Sequence, residues 1–175
     1  MKLRSAMIVM PLLLFLAPLT ANAREETANF EITGGNTYEL KEVPKIDFGS
    51  QTKDSGPGTV NNLAETNLKV FSNTGKAWKV TVSEEGFQSE GRKLIGAKLG
   101  FYSNQVNSFE AIGEAYGNEV SLGGTGVNIE VMNGETGAVG TFLLPFTNDQ
   151  IKLEFPDTTP AGTYTNKLTW NMTEE

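Results

Sequence analysis

Apolar residues recur at every second position in one short segment after another, and a period of two belongs to half-buried strands rather than to helices. Leu68 and Val70 show it, and Trp78, Val80 and Val82 share one face while Lys79, Thr81 and Ser83 share the other. Ile95, Ala97, Leu99 and Phe101 form the next row, with Lys98 and Tyr102 opposite. Val127, Ile129 and Val131 follow, then Phe142, Leu144 and Phe146, then Ile151, Leu153 and Phe155. Tyr164, Leu168, Trp170 and Met172 line a last long strand, and Phe30 with Ile32 and Ile46 with Phe48 read as short early strands. Gly, Asn and Ser punctuate these runs as turn signals. Only Asn107 to Ala115 offers a turn or two of helix. Many short alternating strands predict an all-β fold, an antiparallel β-sandwich of the immunoglobulin-like kind. Two segments read as loops: Gln51 to Asn62, and Gly113 to Gly126, whose five glycines suit a covering or edging loop.

The start of the chain reads as an export leader. Lys2 and Arg4 precede an apolar run from Ala6 to Leu19, and Ala21-Asn22-Ala23 has the small-x-small pattern of a signal peptidase site. The run falls short of the roughly 20 residues that span a bilayer, and Pro11 and Pro18 interrupt it. A signal peptide over residues 1–23 is therefore expected, leaving a mature chain of 152 residues over 24–175, the size of a single domain. No repeat or linker divides it. The 21 acidic residues against the 12 basic ones left without Lys2 and Arg4 give the mature part a charge of about −9. That balance disfavours nucleic acid and anionic lipid as partners, and no second apolar stretch predicts membrane insertion. With no cysteine there is neither disulfide nor lipid-modified thiol, and the ending Thr173-Glu174-Glu175 carries no hydrophobic sorting tail. Retention on a surface is thus expected to be non-covalent. Export without cysteine points to a Gram-positive bacterium.

The composition also narrows the chemistry. Histidine and cysteine are both absent, so the usual zinc sites, Ser-His-Asp triads and Cys-His pairs have no residues to build them. A pair of carboxylates of the glycosidase type is what remains for an enzyme. Glu84, Glu85, Glu110 and Glu114 lie beside turns and read as solvated surface charge. Neither Asn133-Gly134-Glu135 nor Asn148-Asp149 matches an EF-hand loop. The expectation is a binding protein with no catalytic residue, cofactor or metal.

Two tryptophan strands, 92 positions apart, carry the most information. Trp78-Lys79-Val80-Thr81-Val82 leads on to Phe87 and to Leu94-Ile95-Gly96-Ala97-Lys98-Leu99; Pro160-Ala161-Gly162-Thr163-Tyr164 runs into Leu168-Thr169-Trp170-Asn171-Met172. Together they resemble the WxL domain of Gram-positive surface proteins, with its proximal W-x-V-T-V and distal L-T-W-x-L motifs, and Ile46-Asp47-Phe48-Gly49-Ser50 is similar to the family's early strand. The chain departs from the pattern in ending its motifs on Val80 and on Met172, the latter a volume-conserving change for leucine. The resemblance implies a protein bound non-covalently to peptidoglycan or another wall polymer. It further implies partnership with membrane-anchored WxL-interacting proteins and other WxL proteins, in adhesion or surface assembly.

Trp78, Val80, Trp170 and Met172 fall on apolar faces, as core or as binding platform. Lys79, Lys98, Tyr102 and Tyr116 are the candidate wall-contact residues. The two lysines form a positive patch if their strands are neighbours, and the two tyrosines offer rings on which sugars stack. Two other functions remain open. One is a fimbrial subunit that exchanges the alternating segment Thr27 to Thr33 with a neighbour; the other is a carbohydrate-active enzyme using paired carboxylates.

Overall fold

The computed structural model describes residues 36–52 and 56–175, all of them within one compact unit. The expected leader over 1–23, the Phe30–Ile32 pair and the Thr27 to Thr33 segment lie outside the described residues.

Fourteen strands follow in chain order among the described residues. They are β1 (Tyr38–Glu42), β2 (Gly58–Asn61), β3 (Thr66–Ser72), β4 (Trp78–Glu84), β5 (Gln88–Ser89), β6 (Arg92–Lys93) and β7 (Lys98–Phe101). The rest are β8 (Asn107–Ile112), β9 (Ala115–Gly117), β10 (Val120–Leu122), β11 (Ile129–Gly134), β12 (Val139–Phe146), β13 (Ile151–Phe155) and β14 (Leu168–Glu174). The described residues form no α-helix, only a single 3-10 turn at Asn148–Gln150. Every pairing is antiparallel.

The strands group into three four-stranded sheets and one small hairpin. Sheet I has the order β1-β3-β12-β8, sheet II β10-β7-β13-β2, and sheet III β14-β4-β11-β9; β5 pairs with β6. The all-β antiparallel expectation describes this fold; the immunoglobulin-like arrangement, a sandwich of two sheets, is not confirmed by it. Alternation decides which face turns inward. In β3, β4 and β12 alternate residues are buried without a break. Rings from all three sheets meet in one core. Trp78 of sheet III packs on Phe142 of sheet I, with centroids 5.5 Å apart. Phe101 of sheet II meets Phe146 at 5.8 Å and Trp170 edge-on at 5.5 Å.

Departures from the simple period have local causes. Gly96 takes a φ of +85°, which breaks the row before β7 and leaves Ile95 79% exposed in a turn. Gly126, at φ +72°, likewise leaves Val127 outside. A bulge between Glu130 and Met132 turns both Val131 and Met132 into the core. Asn107 to Ile112 is strand rather than helix, because β12 supplies the ladder that local propensity does not reveal.

Three irregular segments also differ from expectation. Gly113 to Gly126 holds β9 and β10, which edge sheets III and II instead of forming one loop. Gln51 to Asn62 ends in β2. Ile46 to Phe48 is not a strand. Its backbone is served by buried Asn62: the Asp47 amide donates to Asn62 Oδ1 at 2.7 Å, and Asn62 Nδ2 donates to the carbonyls of Lys45 and Ala64. A side-chain amide here replaces a ladder partner.

Candidate functional site

The two tryptophan motifs, distant in sequence, become neighbours. Strand β14 runs antiparallel to β4, with Trp170 opposite Val82, Met172 opposite Val80 and Glu174 opposite Trp78. Trp78 is 1% exposed and its indole Nε1 donates to the Ala138 carbonyl at 3.3 Å. Val80 is fully buried, whereas Trp170 and Met172 are half-buried against the same core. The indole of Trp78 lies directly over Gly134. A Cβ there would come within 2.3 Å of the ring, so only glycine fits.

The alternate residues of these strands build a polar outer face. Thr169, Asn171 and Thr173 of β14 stand beside Ser83, Thr81 and Lys79 of β4. One row crosses the whole sheet: Thr173, Lys79, Asn133 and Tyr116 are directly paired in turn. Two of the four candidate wall-contact residues, Lys79 and Tyr116, therefore share a row. Neither side chain is unengaged. Lys79 pairs with the Glu175 carboxylate, and that hydrogen bond and charge, with Glu130 nearby, raise its pKa. Tyr116 is 41% exposed and donates its hydroxyl to Glu114; this bond, partial desolvation and the charges of Glu114 and Glu135 push its pKa up to about 12.

Lys98 and Tyr102 are elsewhere. Lys98 begins β7 in sheet II, opposite Glu154, so its strand is not a neighbour of β4 and the condition for a Lys79–Lys98 patch is not met. Lys76 pairs with Glu174 and Arg92 with Glu90, which disperses the positive charge further. Tyr102 is half-buried, its ring packed over Gly100 and approached by Lys152 Nζ at 5.7 Å from the centroid.

A second feature escapes the sequence. The row Leu99, Leu153, Val60 runs directly across three strands of sheet II and floors an open groove of about 640 Å³. Phe48, Phe87 and Phe155 line its sides, with Tyr164 on the facing loop. Phe155 reaches its place because Gly58 opposite lacks a Cβ, which would lie 2.1 Å from the ring. One wall is the Ile46 to Gln51 segment; the other is the Thr159 to Leu168 segment. That second wall is well held. Tyr164 donates its hydroxyl to the Pro160 carbonyl at 2.9 Å, and Gln88 and Thr165 exchange backbone hydrogen bonds at 2.8 and 2.9 Å.

Glu84 secures the base of the same wall. It is 4% exposed, not the solvated charge expected from its polar neighbours. Its carboxylate accepts from the Gly124 amide at 2.5 Å and from Asn166 Nδ2. The signal was present in the alternation Trp78, Val80, Val82, Glu84, which puts Glu84 on the inner face. Asn166, so held, lines the groove, and its Oδ1 has no protein partner. The groove was hidden because its walls come from segments of low period that meet only in the folded chain. Three of those segments, around Ile46 to Ser50, Leu94 to Leu99 and Pro160 to Leu168, are the ones that carry the family resemblance apart from the tryptophans.

No group of three or more His, Cys, Asp or Glu residues suited to a metal occurs among the described residues. No helix among them is long and apolar enough to cross a membrane. No curated protein and no solved structure matches the chain. A family model described as WxL domain, surface cell wall-binding, does match, over residues 18–175. With motifs, paired strands and family match in agreement, the chain belongs to the WxL family of surface cell wall-binding domains.

Proposed function

We propose that this surface protein attaches to peptidoglycan without a covalent bond, through the groove on sheet II, while the tryptophan motifs build the fold that shapes it. The groove carries the reading. It is concave, lined by aromatic rings with polar residues at the rim, and within the roughly 300–1,000 Å³ typical of ligand sites. The motif tryptophans are poorer contacts, since Trp78 is sealed and Trp170 is turned edge-on to Phe101. The test is co-sedimentation with purified cell-wall sacculi. Wild-type protein pellets with intact walls and releases no sugar, and Ala161→Trp, placed at an exposed position on the groove wall, pellets much less. Release of sugar would favour the carbohydrate-active alternative, and unchanged pelleting of the variant would remove the groove.

The partner half of the proposal places membrane-anchored proteins, or other WxL proteins, on sheet I, in adhesion or surface-complex assembly. Its outer face mixes Phe71, Val139 and Leu143 with Lys69 and Thr141, and is extended by Phe109 and Ile112, at 52% and 76% exposure, on β8, an edge strand among the described residues. Exposed apolar side chains on a strand edge that no described residue pairs suit strand addition or face packing by another protein. Phe109→Lys with Ile112→Lys is expected to abolish binding to partner ectodomains in solution and leave sacculus pelleting intact. Retention of partner binding would contradict this placement.

A further inference from the structure

The charge and apolarity of the groove decide which wall component it suits. Wall polymers differ sharply in both respects: teichoic chains are polyanionic phosphates, stem peptides carry carboxylates, and the glycan strand bears uncharged acetamido sugars in every repeat. Among the described residues, no lysine or arginine lines the groove. The carboxylate among its described lining residues is Asp47, whose Oδ1 already accepts from the Gly49 amide. A site without a cation offers a polyanion nothing to offset its lost hydration.

The floor argues in the same direction. Half-buried Val60, Leu94 and Phe155, set over the nearly sealed Leu99, Leu153 and Phe87, form an apolar surface that a plain hydroxylated sugar covers poorly. An acetamido group brings a methyl for that floor and an amide N–H and carbonyl for the rim. Ser50, Gln51 and Thr163 supply hydroxyl and amide groups at that rim. Asn166 Oδ1, buried in the wall beside them, is an acceptor with no protein partner.

Resting on the wall-binding reading above, we propose that the groove is a recognition site for N-acetylated, uncharged glycan, and that stem peptides and teichoic polymers are not its ligands. The acetamido methyl seats on the half-buried apolar side chains of Val60, Leu94 and Phe155 and its amide pairs at the rim.

Calorimetry of the full mature chain against a short N-acetylglucosamine oligomer, the matching glucose oligomer and purified teichoic acid tests this. The acetylated oligomer is expected to bind at least about tenfold more tightly than the glucose oligomer, a difference of about 1.4 kcal/mol. Its affinity is expected to change little between low and physiological salt, because no ion pair is screened. Ala161→Trp and Thr163→Trp, both at exposed positions, are expected to melt like wild type and to lose most of that affinity. Equal binding of the two oligomers, salt-sensitive teichoic acid binding, or undiminished affinity in two folded groove variants each overturns the proposal. If sacculi are pelleted while the acetylated oligomer is not bound, the glycan assignment falls and the wall-binding reading stands. If neither binds, both fall.

Discussion

Trp78 and Trp170 show how one motif letter carries two different weights. Burying an indole removes roughly 150–250 Å² from water, about 4–6 kcal/mol at about 25 cal/mol per Å². Trp78 is sealed, so Trp78→Ala is expected to cost about 3–5 kcal/mol, much of the stability of an ordinary domain. Trp170 keeps part of its surface in water, and Trp170→Ala is expected to cost less, about 2 kcal/mol, with urea unfolding as the measurement for both. The reverse order would contradict this packing. Tyr116 supplies a different test. Its pKa of about 12 reflects the bond to Glu114, so Glu114→Gln is expected to bring the ultraviolet titration of Tyr116 down toward the ordinary value near 10. Because the neutral phenol is the favoured form in the fold, its contribution to stability is complete below about pH 10 and is lost as pH rises toward about 12. Alternation made Trp78 and Val80 legible as inward-facing residues. The same rule, applied to Glu84, was overridden by the polar character of its neighbours, and the buried carboxylate was missed.

Among the elements, β4 is the one on which most depends. It lies between β14 and β11, sends Trp78, Val80 and Val82 into the core, and ends at Glu84, which fastens both the Gly124 turn and the Asn166 segment. Glu84→Ala is expected to cost about 1–3 kcal/mol by stranding the groups it satisfies. It should also raise amide hydrogen exchange over Thr159 to Asn166 well before the rest of the chain; uniform exchange would deny it this fastening role. Strands with strict alternation, β3, β4, β12 and β14, were readable from residues alone. The short strands β9 and β10 were not, because three residues carry no period and their pairing is set by β11 and β7 across the chain. The 46–51 segment was misread for a related reason. It has a strand's alternation at Ile46 and Phe48, but its hydrogen bonds go to the side chain of Asn62.

At the scale of the whole molecule, three sheets among the described residues share one core and present three different exteriors: a polar ladder on sheet III, exposed Phe109 and Ile112 along the β8 edge of sheet I, and the groove over sheet II. The family match gives attachment to the wall, and the surfaces are divided so that the proposed partner would meet sheet I while the groove is left to the wall. Two such attachments reinforce each other, since the second is made at the high effective concentration set by the first. The family was legible from the two tryptophan motifs, while the groove was not, because it exists only where segments about a hundred positions apart close on each other, as Phe48 and Tyr164 do across it. Hydroxyl-radical footprinting of the full protein bound to sacculi tests the central claim most directly. The account predicts protection of Phe48, Phe155 and Tyr164 in the groove with Tyr116 on sheet III labelled as in free protein; protection of Tyr116 with Tyr164 unchanged would contradict it.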